Sequence, residues 1–257
     1  MQTILIETGQ QLSDLVKRLQ AYRRISMDTE SDSLYVYNER LCLVQISAGS
    51  ANYIVDTLRI KDLAPLRPLL ESPDMEKIFH AAESDVRVFK KALHCEVRNL
   101  FDTMVAARFL GIKACGLASL IKEYFGVTLN KKFQKANWGL RPLSKEMIEY
   151  AAADTRHLLR LSEILEKKLA ELGLATEAAE EFNRLSRLKP EPRKFIESAY
   201  LNMAAARDMD GRSLAVLREL YLARENAARE KNVPPFKIIG EDLMVRLALD
   251  PHHALKA

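Results

Sequence analysis

Apolar and polar positions keep short strand-like runs in the first part of the chain and then switch to a period near 3.6 residues. Residues 3–7, 24–30, 41–47, 52–55 and 77–80 read as strands. Between the first two, Leu12, Leu15, Val16 and Leu19 mark one face of a helix over 11–19. Residues 63–70 also read as helix, followed by 85–93, 102–110 and 117–125. A long helix is then expected from Lys145 to about Leu172, with Gly173 as its stop signal. Ser144 is its expected N-cap, and Leu143 and Ile148 have the spacing of a hydrophobic staple. Strands early, helices late and one helix between the first two strands predict an α/β chain, a mixed β-sheet flanked by helices.

The pattern breaks between residues 188 and 193, where Pro190 and Pro192 stand among Lys189, Glu191, Arg193 and Lys194. A short helical segment follows, then a helix over 213–231 with Leu214, Leu217, Leu220, Tyr221 and Arg224 on one side. Pro234-Pro235 ends it, and 241–249 forms another short helix. The expected organisation is a main domain over 1–175, a helical linker over 176–194 and a small all-α domain over 195–257.

Composition narrows the class without naming an activity. The 257 residues are 48% apolar and 29% charged, which excludes a mostly disordered chain, a collagen-like repeat or a disulfide-stapled miniature fold. No apolar run approaches the ~18 residues of a membrane span, and the first residues carry no secretory signal pattern. Cys42, Cys95 and Cys115 are odd in number and form no CxxC pair, as expected of a reducing cytoplasm. The net charge of +4 sits in residues 1–170, because 171–257 hold 14 basic and 14 acidic side chains. Such an excess permits nucleic-acid binding without requiring it.

Three acidic patterns carry candidate chemistry. In the strand 24–30, Asp28 and Glu30 project from one face while Ile25, Met27 and Thr29 face the other. Adjacent carboxylates repel, and a divalent cation relieves that repulsion; alone, the pair also fits a solvated strand face. Tyr150 and Asp154 are four apart on one helix face, separated by three alanines that permit close approach to a neighbour. Alone, this also fits a half-buried surface tyrosine. His80-Ala-Ala-Glu-Ser-Asp85 falls at a strand-to-helix junction, where Ser84 or Asp85 could simply cap the helix. His80, His94 and His157 have no zinc-ligand spacing.

Taken together and in this order, the three patterns resemble the motifs of the DEDD 3′→5′ exonucleases of the tyrosine-containing subgroup, most of all the ribonuclease D family. Asp28-Thr29-Glu30, His80–Asp85 and Tyr150–Asp154 match the three motifs, and Cys42-Leu-Val-Gln-Ile-Ser and Phe101-Asp-Thr resemble further family signatures. The match covers about residues 1–175 and implies a ribonuclease H-like fold. Residues 213–249, with Pro234-Pro235 and Ile239-Gly-Glu-Asp-Leu, resemble an HRDC domain. That likeness begins near Phe195 and the chain ends soon after Pro251, so the resemblance implies an incomplete copy. Ser31 departs from the bulky apolar residue frequent after the first motif, which weakens any transfer of how a 3′ end is gripped.

The resemblance implies two divalent ions, Mg²⁺ or Mn²⁺, about 4 Å apart. Asp28, Glu30 and Asp154 would hold the first, Asp28 would bridge to the second, and Asp85 would support it. Tyr150 would orient the attacking water. The expected partner is the single-stranded 3′ end of RNA, with tRNA precursors or other structured RNA suggested by the family, and no membrane. Arg87, Lys90 and Lys91, and then Lys131, Lys132, Lys135 and Arg141 around Phe133 and Trp138, are candidate nucleic-acid contacts. Packing is the simpler role for Trp138. Open alternatives are a DNA exonuclease of the kind attached to RecQ-type helicases, a catalytically silent binding module, and a scaffold with an incidental acidic cluster.

Overall fold

The computed structural model describes residues 1–190 and 195–250. Glu191, Pro192, Arg193 and Lys194 of the expected boundary, and Pro251 near the chain end, lie outside the described residues. Two compact units form: Met1–Ser31 with Arg40–Glu191, and Asp32–Glu39 with Pro192–Ala257.

In chain order the first unit contains β1 (Gln2–Ile6), α1 (Gly9–Leu19), β2 (Arg24–Ser31), β3 (Leu41–Ala48), β4 (Ala51–Asp56), α2 (Arg67–Glu71), β5 (Glu76–Phe79) and α3 (Glu83–Leu93). It continues with β6 (Leu100–Asp102), α4 (Thr103–Phe109), α5 (Leu117–Phe125), α6 (Lys145–Arg156), α7 (Leu158–Glu171) and α8 (Ala175–Ser186). The strands form one six-stranded sheet in the order β1-β4-β3-β2-β5-β6. β3 runs antiparallel to both neighbours, and the β1–β4, β2–β5 and β5–β6 pairs are parallel. The sheet is therefore mixed, and β2 lies inside it.

The two faces of the sheet differ. On one, Ile25 and Met27 of β2, Val44 and Ile46 of β3, and Tyr53 and Val55 of β4 join the main apolar core. Full burial of each such aliphatic side chain stabilises by ~1.5–3 kcal/mol. On the other, alternation presents Ser26, Asp28, Glu30, Gln45, Ser47 and Asn52 toward α6. Ala151 and Ala152 of α6 are fully buried there, so the small side chains let the helix lie close to the strands. Gly49 turns the β3–β4 hairpin at φ +56°, and a Cβ on it would lie 2.9 Å from the Tyr22 hydroxyl.

Several expectations need correction. The single helix expected over 145–172 is two, α6 and α7, broken at His157 (φ −105°, ψ −7°). Residues 63–70 form a 3₁₀ turn over Ala64–Leu66 before the short α2. β6 replaces the start of the helix expected at 102, and Asp102 is instead the N-cap of α4. Neither Ser84 nor Asp85 caps α3, which starts after Ala82 without a side-chain cap.

Ser144 does cap α6, accepting from Met147 N–H at 3.2 Å. Leu143 and Ile148 pack into one apolar cluster with Trp138.

In the second unit, 3₁₀ turns over Glu197–Asn202 and Ala204–Asp208 precede α9 (Gly211–Glu230) and α10 (Glu241–Leu249). Met203, Leu217, Tyr221, Met244 and Ala248 form its small core. The segment Asp32–Glu39 belongs to this unit although it lies between β2 and β3 in sequence. Its Tyr37 donates its hydroxyl to Glu225 and its N–H to Asn232 Oδ1 (3.3 Å).

Candidate active site

β2 delivers the first carboxylates. The β2–β3 register sets Asp28 opposite Gln45 and Ser26 opposite Ser47, and a bulge between Glu30 and Ser31 ends the regular ladder just beyond the second carboxylate. α6 brings the third. Ser26 Oγ donates to the Thr155 carbonyl (2.9 Å), and Ser47 Oγ donates to Asn52 Oδ1 (2.7 Å). That leaves Thr155 Oγ1 to donate to Ser47 Oγ at 2.7 Å. Ser26, Ser47 and Thr155 are fully buried, so the helix is fastened to the sheet at the residue after Asp154.

As a result Asp28, Glu30 and Asp154 bring one oxygen each to within 4.8 Å of one another. Asp85 arrives separately. It is the third residue of α3, buried, and accepts a hydrogen bond from Thr29 Oγ1 at 2.6 Å. Thr29 thus faces away from Asp28 and Glu30, as alternation requires, and uses that face to hold the fourth acid.

The junction before α3 is fixed by the Phe101-Asp-Thr segment. Asp102 accepts from the N–H groups of Ala81 (3.1 Å), Ala82 (2.7 Å), Met104 (2.8 Å) and Val105 (3.1 Å). Ala81 has φ +61°, a conformation that costs a non-glycine residue about 1 kcal/mol and that these hydrogen bonds hold in place.

The electrostatics of the cluster point one way. Burial raises Asp28 to about 7, against a backbone hydrogen bond from Thr29. Burial, and then repulsion from Asp28, raises Asp154 to about 8. Glu30 is pushed up to about 10 by burial and then by Asp28, Asp154 and Asp85. Asp85 is driven well above the usual carboxylate range by burial and then by Asp28. Burial, followed by Asp154, Glu30 and Asp28, also raises Tyr150 above an ordinary phenol, so its hydroxyl keeps its proton. No lysine, arginine or histidine pairs with Asp28, Glu30 or Asp154 among the described residues. Hard oxygen donors crowded without a counter-charge fit a Mg²⁺- or Mn²⁺-type ion.

The cluster opens into a cavity of about 440 Å³. His80 and Tyr150 line it together with the acids, the start of α5 and the loop over 129–134. Tyr150 packs edge-on against Phe133 (5.9 Å between centroids) and at a tilt against Trp138 (6.0 Å).

The basic and aromatic candidates separate. Lys131 lines the cavity with Asn130 and Gln134. Lys132 lies over the Phe133 ring at 5.2 Å, and Arg87 pairs with Glu83 at 3.0 Å and also donates to the Lys189 carbonyl. Lys135 does not line the cavity. Two candidates are corrected. Trp138 is 1% exposed, so it packs Tyr150 and offers no stacking face. Arg141 is a structural clamp, held on both oxygens of Asp56 (2.6 and 2.7 Å) and on the carbonyls of Trp138, Leu140 and Cys42. Thr29, Thr155 and Asp102 were not singled out as positioning groups by sequence. Thr29 and Asp102 stand inside quoted motifs and Thr155 directly follows one, yet none of those likenesses showed what the side chains hold.

Comparison with known proteins agrees with this geometry. A family model described as 3′-5′ exonuclease matches residues 3–170, and an HRDC domain model matches residues 213–251. A ribonuclease D of Gluconacetobacter diazotrophicus is 34% identical over 250 residues, covering 95% of this chain and 62% of that protein. The catalytic core of RRP6 from Trypanosoma brucei superposes with a TM-score of 0.87 at 29% identity, over 99% of this chain and 73% of that one. Escherichia coli RNase D superposes with a TM-score of 0.75 at 30% identity, over 96% and 66%. The chain thus spans somewhat under two thirds of the length of the ribonuclease D relative. With its exonuclease match extending over well more than half of its residues, and with the acids those residues gather, the chain belongs to the 3′-5′ exonuclease family.

Proposed function

We propose that this chain is a metal-dependent 3′→5′ exoribonuclease that releases nucleoside 5′-monophosphates from RNA 3′ ends. The observation that carries the reading is the uncompensated triad of Asp28, Glu30 and Asp154 beside Tyr150 in an open cavity. Asp28, Glu30 and Asp154 would hold one Mg²⁺ or Mn²⁺, with Asp28 shared toward a second site that Asp85 supports. Such ions activate water and stabilise a leaving oxygen. Tyr150 retains its proton and orients the nucleophilic water through its hydroxyl, rather than removing a proton from it. Lys131, Asn130 and Gln134, which line the same cavity, supply donors for the terminal nucleotide. The ribonuclease D and RRP6 likenesses favour RNA over DNA. E. coli RNase D is described as an exoribonuclease involved in structured RNA processing, and we assign 3′ ends of tRNA precursors or similar structured RNA as the substrate class. No described helix is long and apolar enough to cross a membrane. Cys42, Cys95 and Cys115 form no disulfide among the described residues, which fits work in the reducing cytoplasm.

The test uses 5′-labelled single-stranded RNA and matched DNA, each with Mg²⁺, Mn²⁺ or EDTA. A metal-dependent ladder that shortens from the 3′ end and is stronger on RNA is expected. A stronger ladder on DNA would make it a DNA exonuclease. No ladder on either, with salt-sensitive binding retained, would leave a binding module.

A further inference from the structure

His80 walls the cavity with the three metal-binding acids, yet the mechanism above gives it no task. Its hydrogen bonding settles which ring nitrogen carries the proton. Thr103 Oγ1 has a single hydrogen and donates it to the Phe79 carbonyl at 3.0 Å. The contact between His80 Nδ1 and the same oxygen, at 2.9 Å, must therefore be a bond donated by His80. Nδ1 holds the proton, and Nε2 is left with a lone pair and no protein partner among the described residues. Burial lowers the ring to about 4, so it stays neutral under working conditions.

Among the groups of an RNA substrate entering the cavity that His80 lines, few can meet a lone pair. Phosphate oxygens are acceptors and offer it nothing. Base N–H groups differ between nucleotides, so they cannot serve an enzyme that removes residues irrespective of identity. Ribose hydroxyls are the donors present on every RNA nucleotide. We propose that His80 Nε2 accepts a hydrogen bond from a ribose hydroxyl of the 3′-terminal nucleotide, making His80 a sugar-recognition residue. Thr103, itself held by the Phe79 carbonyl, fixes the ring for that role.

The proposal rests on the exoribonuclease reading, and a substrate-by-variant cycle separates the two. Three RNAs are compared: all-ribose, 2′-deoxy at the terminal nucleotide, and 3′-deoxy at the terminal nucleotide. kcat/KM is measured for the wild type, His80→Asn and His80→Gln. Asparagine can keep a donor near the Nδ1 position and loses the distal acceptor; glutamine returns a polar atom near Nε2. A wild-type protein that fails to shorten all-ribose RNA defeats the exoribonuclease reading itself. In an active wild type, removing the contacted hydroxyl should lower kcat/KM about tenfold, the size of one neutral hydrogen bond. His80→Asn should lose about tenfold on the all-ribose RNA and show little further loss on the deoxy substrate. His80→Gln should recover part of the discrimination. If both deoxy penalties are as large in His80→Asn as in the wild type, or are absent from the wild type, the assignment is overturned. Digestion of all-ribose RNA by the variants shows that they fold, so a lost penalty cannot come from a collapsed protein.

Discussion

Acidic side chains occur in two contrasting settings in the first unit. Asp56 and Asp102 are almost wholly buried, and every oxygen is answered: Arg141 and local N–H groups serve Asp56, and four backbone N–H groups serve Asp102. Asp28, Glu30 and Asp154 lie on the same sheet or against it, face one another, and have no basic partner among the described residues. Two of the strands involved, β2 and β4, are separated only by β3. Lying in or against the same sheet therefore does not separate a structural carboxylate from a candidate metal ligand. The presence or absence of donors does.

The largest expected effect breaks the contrast by neutralising one member of each set. Asp28→Asn should abolish metal-dependent digestion while the metal-free protein melts at the same or a higher temperature, because a repulsive charge has gone. Asp56→Asn should do the opposite in kind, lowering stability by about 3 kcal/mol by leaving Arg141 without its partner. Thermal melts without metal, run beside the nuclease assay, check both. Equal destabilisation by the two substitutions would erase the distinction.

A smaller effect tests the fastening of α6. Thr155→Val keeps the shape and removes the hydroxyl that reaches Ser47. It should raise the metal concentration for half-maximal activity about tenfold, the lower end for groups that orient ligands, and Thr155→Ser should restore it. An unchanged metal midpoint in a folded Thr155→Val protein would remove Thr155 from the positioning of Asp154.

The gentlest test is pH. Folded-state carboxyls raised to about 7 and about 8 bind protons that the unfolded chain has already released above about 4. The native state then holds more protons than the unfolded state across that window, so metal-free stability should fall as pH rises from about 5 to about 8. Saturating Mg²⁺ should flatten or reverse the slope, since it favours the charged ligands. Denaturant melts at several pH values, with and without the ion, measure it.

How much of this was legible beforehand differs from element to element. Alternation in β2 gave the shared face of Asp28 and Glu30, and helical spacing gave Tyr150 with Asp154. The break at His157 was invisible because Leu158, Leu161, Leu165 and Leu169 continue an apolar stripe with no proline or glycine to interrupt it. β6 was missed because three residues are too few for a period to show. Charge beside aromatic residues suggested a nucleic-acid surface at Trp138 and Arg141. Only the fold reveals Asp56, distant in sequence, as the partner that draws Arg141 inward. Thr29 was correctly turned away from its neighbours, yet nothing local shows that Asp85 rises to meet it.

The placing of β2 also bears on timing. β2 pairs with β5 over Arg24–Ser26 and with β3 from Ser26 to the bulge, so the amides of its doubly paired end meet solvent only when the sheet itself opens. In hydrogen-exchange terms, Ser26, paired on both sides, is expected in the slowest class. Two of the proposed ligands, Asp28 and Glu30, follow it on the same strand. The ordering of their backbone is completed at folding, so in the proposed reaction each new 3′ end would meet carboxylates already in place.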